Sequence, residues 1–209
     1  MLKVGIIGAN GKAGALIAKA AVNRGMAVTA IVRQETDQDQ GYTILVKDLF
    51  ALTPVDVQAL DVLVSAVNFP DDSTKFDAAT QHLIKLVRGT QIHLMIVGGA
   101  GSLWLDTAHT QQLKDAPDFP SAFKPTATAM AQSLATLKAA KDVNWTYVSP
   151  AADFSYMGGL TGKYVITDDV FATDDDGKSF LSYKDYAQAF VTIMAKKIYR
   201  QKHVGVHHV

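Results

Sequence analysis

A chain of 209 residues has the length for one domain, with 48% apolar and 19% charged residues to fill and coat its core. Twenty Lys and Arg balance twenty Asp and Glu, which excludes the basic excess that nucleic-acid binders and membrane-surface proteins carry. With no cysteine, disulfides, thiolate metal sites and cysteine nucleophiles are excluded as well.

In chain order, the stretch from Met1 to Gly8 is a buried strand, and Lys12 to Arg24 an apolar-rich helix stopped at Gly25. Met26 to Arg33 is β-branched and forms a second strand, and the polar run from Gln34 to Gly41 is a loop. "YTILVKD" makes a third strand. "LTPVDVQAL" opens a helix with Thr53 as N-cap and Pro54 at the first helical position. "DVLVSAV" is a fourth strand, followed by an amphipathic helix that ends at Gly89, and "QIHLMIVGGAG" a fifth strand running into glycines. The regularity breaks over Ser102 to Phe123. "PTATAMAQSLATLKAAK" is again a strong helix and "NWTYVSP" a sixth strand. Ala151 to Gly177 reads as loop-rich. "YKDYAQAFVTIMAKKI" is a last long helix and "HVGVHH" a short closing strand.

Strands alternating with helices predict an α/β fold with a doubly wound parallel sheet covered on both faces. It forms a single domain over 1–209, with a small loop-rich C-terminal cap from segments around 102–124 and 151–180. Ligands in such a fold gather at the carboxyl ends of the strands, here the turns beginning at Gly8, Arg33, Asp48, Ala66, Gly98 and Pro150.

The first turn, "GIIGANGKAG", places Gly8, Gly11 and Gly14 at G-x-x-G-x-x-G spacing between a strand and a helix. Gly8 permits a tight turn, Gly11 lets backbone approach a pyrophosphate, and Gly14 lets the helix pack close on the sheet. Backbone N–H groups across Asn10, Gly11, Lys12 and Ala13 would face the phosphates from the positive end of the helix dipole. A dinucleotide is therefore expected here. At the end of the second strand, Arg33 fits a ribose 2′-phosphate and points to NADP(H), with NAD(H) the lesser alternative. Glu35 and Asp37, close by, weaken that preference.

These residues resemble the atypical short-chain dehydrogenases/reductases with a Rossmann NAD(P)-binding domain, of the NmrA-like and biliverdin reductase B (flavin reductase)-like kind. The likeness runs nearly end to end, through "GANGKAG", "AIVR", "VKDLFAL", "LVSAVN", "MIVGGAGSLWLD", "NWTYVSPAADF", "LTGKY" and "SYKDYAQAFV". It implies that Asp48 and Leu49 meet the adenine and that Ala66, Val67 and Asn68 line the path from ribose to nicotinamide. Gly98 is expected beside them, and Pro150, Ala151 and Phe154 on a shelf beneath the nicotinamide. Each has a plainer alternative: Asp48 as a loop cap, Asn68 as a turn residue, Phe154 as core.

Typical members of the superfamily use a Tyr-x-x-x-Lys pair, in which lysine lowers the tyrosine pKa and tyrosine exchanges a proton with the substrate. None of the seven tyrosines is followed by lysine at the fourth place. Chemistry on an alcohol or sugar is thus disfavoured. A flavin, quinone or conjugated carbonyl accepts hydride into a conjugated system and asks mainly for orientation. Trp104, Tyr156 and Tyr164 are the expected substrate contacts, with Phe154. Ser102 is the candidate catalytic hydrogen-bond donor, its alternative a helix N-cap. The histidines complete no metal framework, no Gly-x-Ser-x-Gly elbow occurs, and "DDDG" at Asp174 to Gly177 is a solvated turn.

Two functions compete: an NADPH-dependent oxidoreductase of low substrate specificity, and an NADP(H)-binding redox-sensing regulator without turnover, as in NmrA-like proteins. A nucleotide-sugar epimerase or dehydratase ranks last. The expected partner is a small-molecule hydride acceptor, with no nucleic acid and no membrane, in a monomer or homodimer. The absence of a signal pattern and of about 18 consecutive apolar residues makes a cytoplasmic location the default. Residues 103–123 are expected to close over the cofactor as a lid.

Overall fold

The structure, a computed structural model, describes residues 1–35, 41–196 and 198–209. Asp37 lies outside the described residues. The N-terminal half alternates as its sequence predicts: β1 (Lys3–Ile7), α1 (Lys12–Asn23), β2 (Ala27–Val32), β3 (Thr43–Val46), the single turn α2 (Pro54–Val57), β4 (Val62–Ser65), α3 (Lys75–Val87) and β5 (His93–Val97). There follow α4 (Lys124–Ala139), β6 (Trp145–Ser149), β7 (Asp153–Ser155), β8 (Tyr164–Thr167), β9 (Phe180–Ser182), α5 (Tyr183–Lys196) and β10 (Lys202–His208).

The main sheet runs β3-β2-β1-β4-β5-β6-β10-β8, parallel throughout except for the last pair, β10–β8. The α/β doubly wound architecture is thus as expected from the alternation. Because β2 and β3 build outward on one side of β1 while β4 to β6 build on the other, the order reverses between β1 and β4. A crevice opens at such a reversal, outside the carboxyl ends.

Period-two alternation divides the core into two layers. Val4 and Ile6 of β1, Val62 and Val64 of β4, Met95 of β5 and Val148 of β6 pack on one face with Ile17 of α1 and Phe190 of α5. Ile7, Leu63, Leu94, Ile96, Trp145 and Tyr147 pack on the other with Leu83, Leu86, Leu134 and Leu137 of α3 and α4. Strands buried on both faces need this near-continuous apolar character. Each fully buried Leu or Ile contributes roughly 1.5–3 kcal/mol of transfer free energy. No helix among the described residues is long and apolar enough to cross a membrane.

Three features depart from expectation. The C-terminal strand does not close the sheet; β10 lies between β6 and β8, with Val204, Gly205 and Val206 buried. A Cβ on Gly205 would sit 2.8 Å from Thr167 Oγ1 of β8, so glycine lets the two strands meet. β7 and β9 form their own parallel pair, pairing Phe154 with Leu181. The third departure concerns the expected lid. Trp104 bridges to both Gln112 and Val170, Leu113 N–H donates to the Leu103 carbonyl, and Phe171 N–H to the Trp104 carbonyl. These bonds pin the segment after β5 against the β8 side of the molecule, and no residue of 103–123 lines the cleft described next.

Candidate functional site

A cleft of about 830 Å³ lies along the carboxyl ends of the parallel strands, across the β1/β4 reversal. It has the size of a pocket for a small-molecule ligand or cofactor. One end is lined by Arg33, Gln34, Lys47, Asp48, Leu49 and Phe50, after β2 and β3. Gly8, Asn10, Gly11, Lys12 and Ala13 form its middle, opposite Ala66, Val67, Asn68 and Phe69 after β4. Val97, Gly98, Met130, Phe154 and Tyr183 form the other end, with Phe76 on the wall.

The glycine turn is built by close backbone approach. Gly8 has φ +79°, where a side chain is strained, and a Cβ there would sit 2.8 Å from the Ala66 carbonyl oxygen. A Cβ on Gly11 would meet the Gly8 carbonyl oxygen at 3.2 Å, and one on Gly14 the same oxygen at 2.2 Å. Gly8 N–H donates to the Ile31 carbonyl of β2, and the Asn10 side-chain amide donates to the Gln34 carbonyl, tying the turn to the β2 end. Above this turn, α1 starts at Lys12 with no capping side chain and no acidic residue in its first turn. Its N–H groups and the positive end of its dipole are left for an anion. The donors and the space fit the pyrophosphate of a dinucleotide.

At the β2/β3 end, Lys47 N–H donates to the Val32 carbonyl, so Arg33 and Lys47 emerge from adjacent strands. The Lys47 ammonium is held 2.7 Å from Asp56, which also accepts from the Thr53 N–H and hydroxyl at the start of α2. These donors, Lys47 first and then Thr53, hold the Asp56 carboxyl down to about 2. Arg33 is exposed and makes no hydrogen bond or ion pair with a described residue. Asp48 caps the turn Leu49–Ala51, accepting from Phe50 N–H at 2.9 Å, and Asn68 accepts from Phe69 N–H at 3.0 Å. The plainer roles weighed for both residues are therefore present, and both residues also line the cleft.

The opposite end is aromatic. Phe154 of β7 and Tyr183 stack at 3.7 Å between centroids and 7° between planes. The pairing of Phe154 with Leu181, two residues before Tyr183, sets up this stack. Ser182 and Asp185 fix the start of α5 reciprocally: the Ser182 hydroxyl donates to the Asp185 carboxylate and accepts from the Asp185 N–H, both at 2.9 Å. Fully buried Asp185 also accepts from Thr161 N–H and hydroxyl and from Gly162 N–H. Burial works to raise its pKa, but these donors, Gly162 N–H foremost, outweigh it and hold the carboxyl below its ordinary value. Tyr156 stands edge-on to Tyr183 at 5.5 Å, and the Lys12 ammonium lies 5.2 Å above the Tyr156 ring, a cation–π contact linking the glycine turn to the aromatic end.

Several expected site residues lie elsewhere. Pro150 and Ala151 are buried behind the strand ends and do not line the cleft. Trp104 stacks on His109 at 5.0 Å, and Tyr164 on β8 shares a hydrogen bond with Thr192 of α5; neither reaches the cleft. Ser102 is 1% exposed and ends the turn Ala100–Ser102, so it is neither a helix N-cap nor open to the cleft. Its hydroxyl donates to the Gly99 carbonyl and lies 3.3 Å from Ser149 Oγ. Ser149 donates to the same carbonyl and meets His203 Nε2 at 2.9 Å, while His203 Nδ1 lies 3.6 Å from Asp169. This Ser-His-Asp alignment resembles a hydrolase triad, yet Ser149 has no exposed surface for a substrate to touch. His203, with Lys138 and His109 beyond it, holds Asp169 down to about 2 against the cost of burial. Burial in turn depresses His203, more than Asp169 raises it. The cluster is an internal support.

Lys47, Met130 and Tyr183 also line the cleft, beyond the residues to which the sequence pattern points. For Tyr183 a signal existed: "SYKD" is a capping pattern that sets its helical position.

The NAD(P)H-binding family matches residues 8–197. The uncharacterized protein YwnB of Bacillus subtilis is 41% identical over 191 residues, covering 90% of each chain. A proposed NADH-flavin reductase from Streptococcus pneumoniae superposes with a TM-score of 0.97 at 40% identity, over 100% of both chains. A proposed epimerase from Bacteroides thetaiotaomicron gives 0.86 at 27% identity, over 100% of this chain and 97% of that one. A glycine cradle at the sheet reversal, a family match spanning nearly all of the sequence, and relatives of like length agree: the chain belongs to the NAD(P)H-binding family and has its Rossmann-like fold, consistent with the resemblance to atypical short-chain dehydrogenases/reductases.

Proposed function

We propose that the protein is an oxidoreductase that uses NADPH in preference to NADH to reduce planar conjugated acceptors, flavins, quinones or conjugated carbonyls, with little selectivity among them. The observation that carries this reading is the single cleft that joins the phosphate cradle to the Phe154–Tyr183 stack. When bound, the reduced nicotinamide supplies hydride. The N–H groups at the start of α1 hold the pyrophosphate, and Arg33 takes the ribose 2′-phosphate. Val97, Met130 and Phe154 keep the far end apolar, which favours a flat acceptor over water. An acceptor stacked at that end would take the hydride, two electrons and one proton, into its conjugated system. Any second proton comes from water.

The missing Tyr-x-x-x-Lys pair favours a second reading, a regulator that binds NADP(H) without turnover. The same absence leaves an epimerase last. One assay separates them: nicotinamide absorbance over time with NADPH and with NADH, against FMN, riboflavin and simple quinones. Protein-dependent oxidation of NADPH establishes the reductase; tight NADPH binding without turnover of any acceptor establishes the regulator. The streptococcal relative is described as using NADH, so the cofactor choice is tested by Arg33→Asp. That variant should shift the NADPH/NADH affinity ratio toward NADH by about tenfold or more, the worth of one well-placed charged hydrogen bond. An unchanged ratio ends the assignment of Arg33.

A further inference from the structure

We propose that Tyr183 contacts the acceptor itself, its hydroxyl donating a hydrogen bond to a ring carbonyl oxygen or ring nitrogen of a planar heterocycle or quinone. This rests on the reductase reading.

Among the described residues that line the cleft, Tyr183 carries the only hydroxyl; the remaining polar groups belong to Asn10, Lys12, Arg33, Gln34, Lys47, Asp48 and Asn68. All seven sit on the turn after β1 or at the ends of β2, β3 and β4, where the dinucleotide's phosphates and riboses would run. At the aromatic end Val97, Gly98, Met130 and Phe154 offer no side-chain hydrogen-bond donor, and the Lys12 ammonium, which reaches over the Tyr156 ring from the glycine turn, is a charged donor rather than a hydroxyl. Tyr147 and Tyr186, deeper in the fold, spend their hydroxyls on the Met130 and Val148 carbonyls. The Tyr183 hydroxyl makes no hydrogen bond with a described residue, although the ring is half-buried.

The ring is also held in place. Phe154 covers one face, Tyr156 packs edge-on, and the Ser182–Asp185 pair sets the helical turn from which Tyr183 projects. A donor whose geometry is set before binding loses little entropy when it engages a ligand. Burial raises the phenol pKa, and Ala187, not a lysine, stands at the fourth place after it. Tyr183 therefore stays a neutral O–H donor. It stabilises the negative charge that gathers on the acceptor's oxygen or nitrogen as hydride arrives, without giving up its own proton.

Binding in the presence of saturating NADP⁺, where no turnover occurs, tests the assignment with three probes. Riboflavin is followed by its fluorescence, and menadione and 2-methylnaphthalene by displacement of riboflavin. Menadione and 2-methylnaphthalene share a ring system but differ in their carbonyl oxygens. Tyr183→Phe keeps the stack on Phe154 and removes only the hydroxyl. It should weaken riboflavin and menadione by roughly three- to tenfold, the range of one neutral hydrogen bond, and leave 2-methylnaphthalene and NADP⁺ within about twofold. Tyr183→Leu should weaken all three probes. If Tyr183→Phe weakens the three equally, or none, the hydrogen bond does not exist. If the unaltered protein binds NADP⁺ but neither riboflavin nor menadione, the reductase reading falls and Tyr183 with it. Binding by the unaltered protein that Tyr183→Phe leaves intact overturns the Tyr183 assignment alone.

Discussion

Two glycine-rich turns follow parallel strands in this protein, and they do opposite things. After β1, Gly8, Gly11 and Gly14 bring backbone against backbone: an added Cβ would meet the Ala66 or Gly8 carbonyl group. What remains above them is open space at the start of a helix. After β5, Gly98, Gly99 and Gly101 make room for side chains instead. A Cβ at Gly98 would fall 2.2 Å from the Tyr147 ring, one at Gly99 3.1 Å from Met130 Sδ, and one at Gly101 2.8 Å from the Ala127 methyl. Below them Ser102 and Ser149 share the Gly99 carbonyl, and His203 supports Ser149. The first turn is a receptacle and the second is a filled joint, although "GANGKAG" and "GGAGS" look alike as strings. Glycine content marks close approach; what approaches is decided elsewhere in the chain.

The sharpest test of this contrast pairs one glycine from each turn. Gly14→Ala forces a methyl against the Gly8 carbonyl and should weaken NADP⁺ binding by at least about a hundredfold, ~2.7 kcal/mol, read by calorimetric titration. Gly98→Ala overpacks against a buried ring and should cost about 3 kcal/mol of stability, the upper end of such substitutions, read by urea unfolding. Its NADP⁺ affinity should change less than that of Gly14→Ala. The reverse pattern would break the comparison.

Acid should expose the second region before the first. His93, buried on β5 and bonded to Thr146, is pushed down to about 4 by burial and then by Arg200. His203, facing Asp169, Lys138 and His109, is also depressed. The folded chain refuses protons that the unfolded chain accepts near pH 6.5. Stability is therefore complete above pH 6.5 and lost as pH falls toward 4, by about 3 kcal/mol for His93 alone. Asp169, held at about 2, adds a separate loss only as pH falls below the ordinary carboxylate range. Urea midpoints at pH 7.5 and pH 5 measure the first window; equal midpoints would show that these histidines are not held neutral. The smallest effect belongs to Ser102→Ala. The Gly99 carbonyl keeps Ser149 as donor, so the cost should be about 1 kcal/mol, with turnover of any acceptor within twofold. A collapse of turnover at unchanged stability would turn the filled joint into a catalytic element.

Much of the dinucleotide end was legible because its determinants are local. A strand, the turn glycines Gly8, Gly11 and Gly14 and a helix start lie within fourteen residues, and strands β1 to β6 announced themselves by apolar runs of ordinary length. Gly8, Asn10, Gly11, Lys12, Ala13, Arg33, Asp48, Leu49, Ala66, Val67, Asn68 and Gly98 all line the cleft because each follows the carboxyl end of a strand or opens the helix after it. The acceptor end was not legible in the same way. Trp104 and Tyr164 carry the right side chains, but their segments are drawn to the β8 side by long-range backbone pairing that no local pattern encodes. Tyr183 carries no such mark in the sequence because it lacks a lysine four residues on, and Met130 none because helical spacing says nothing about which strand end a helix overhangs.

By itself, then, the sequence determined the alternating architecture, the phosphate cradle and the absence of the Tyr-Lys pair, all matters of periodicity, backbone sterics or a count. Tertiary structure alone decided that the C-terminal strand runs inside the sheet, that Ser102 is walled in, and that Phe154 and Tyr183 stack on each other at one end of the cleft. Those outcomes depend on contacts between residues far apart in the chain, whose free energies belong to pairs that only the fold brings together.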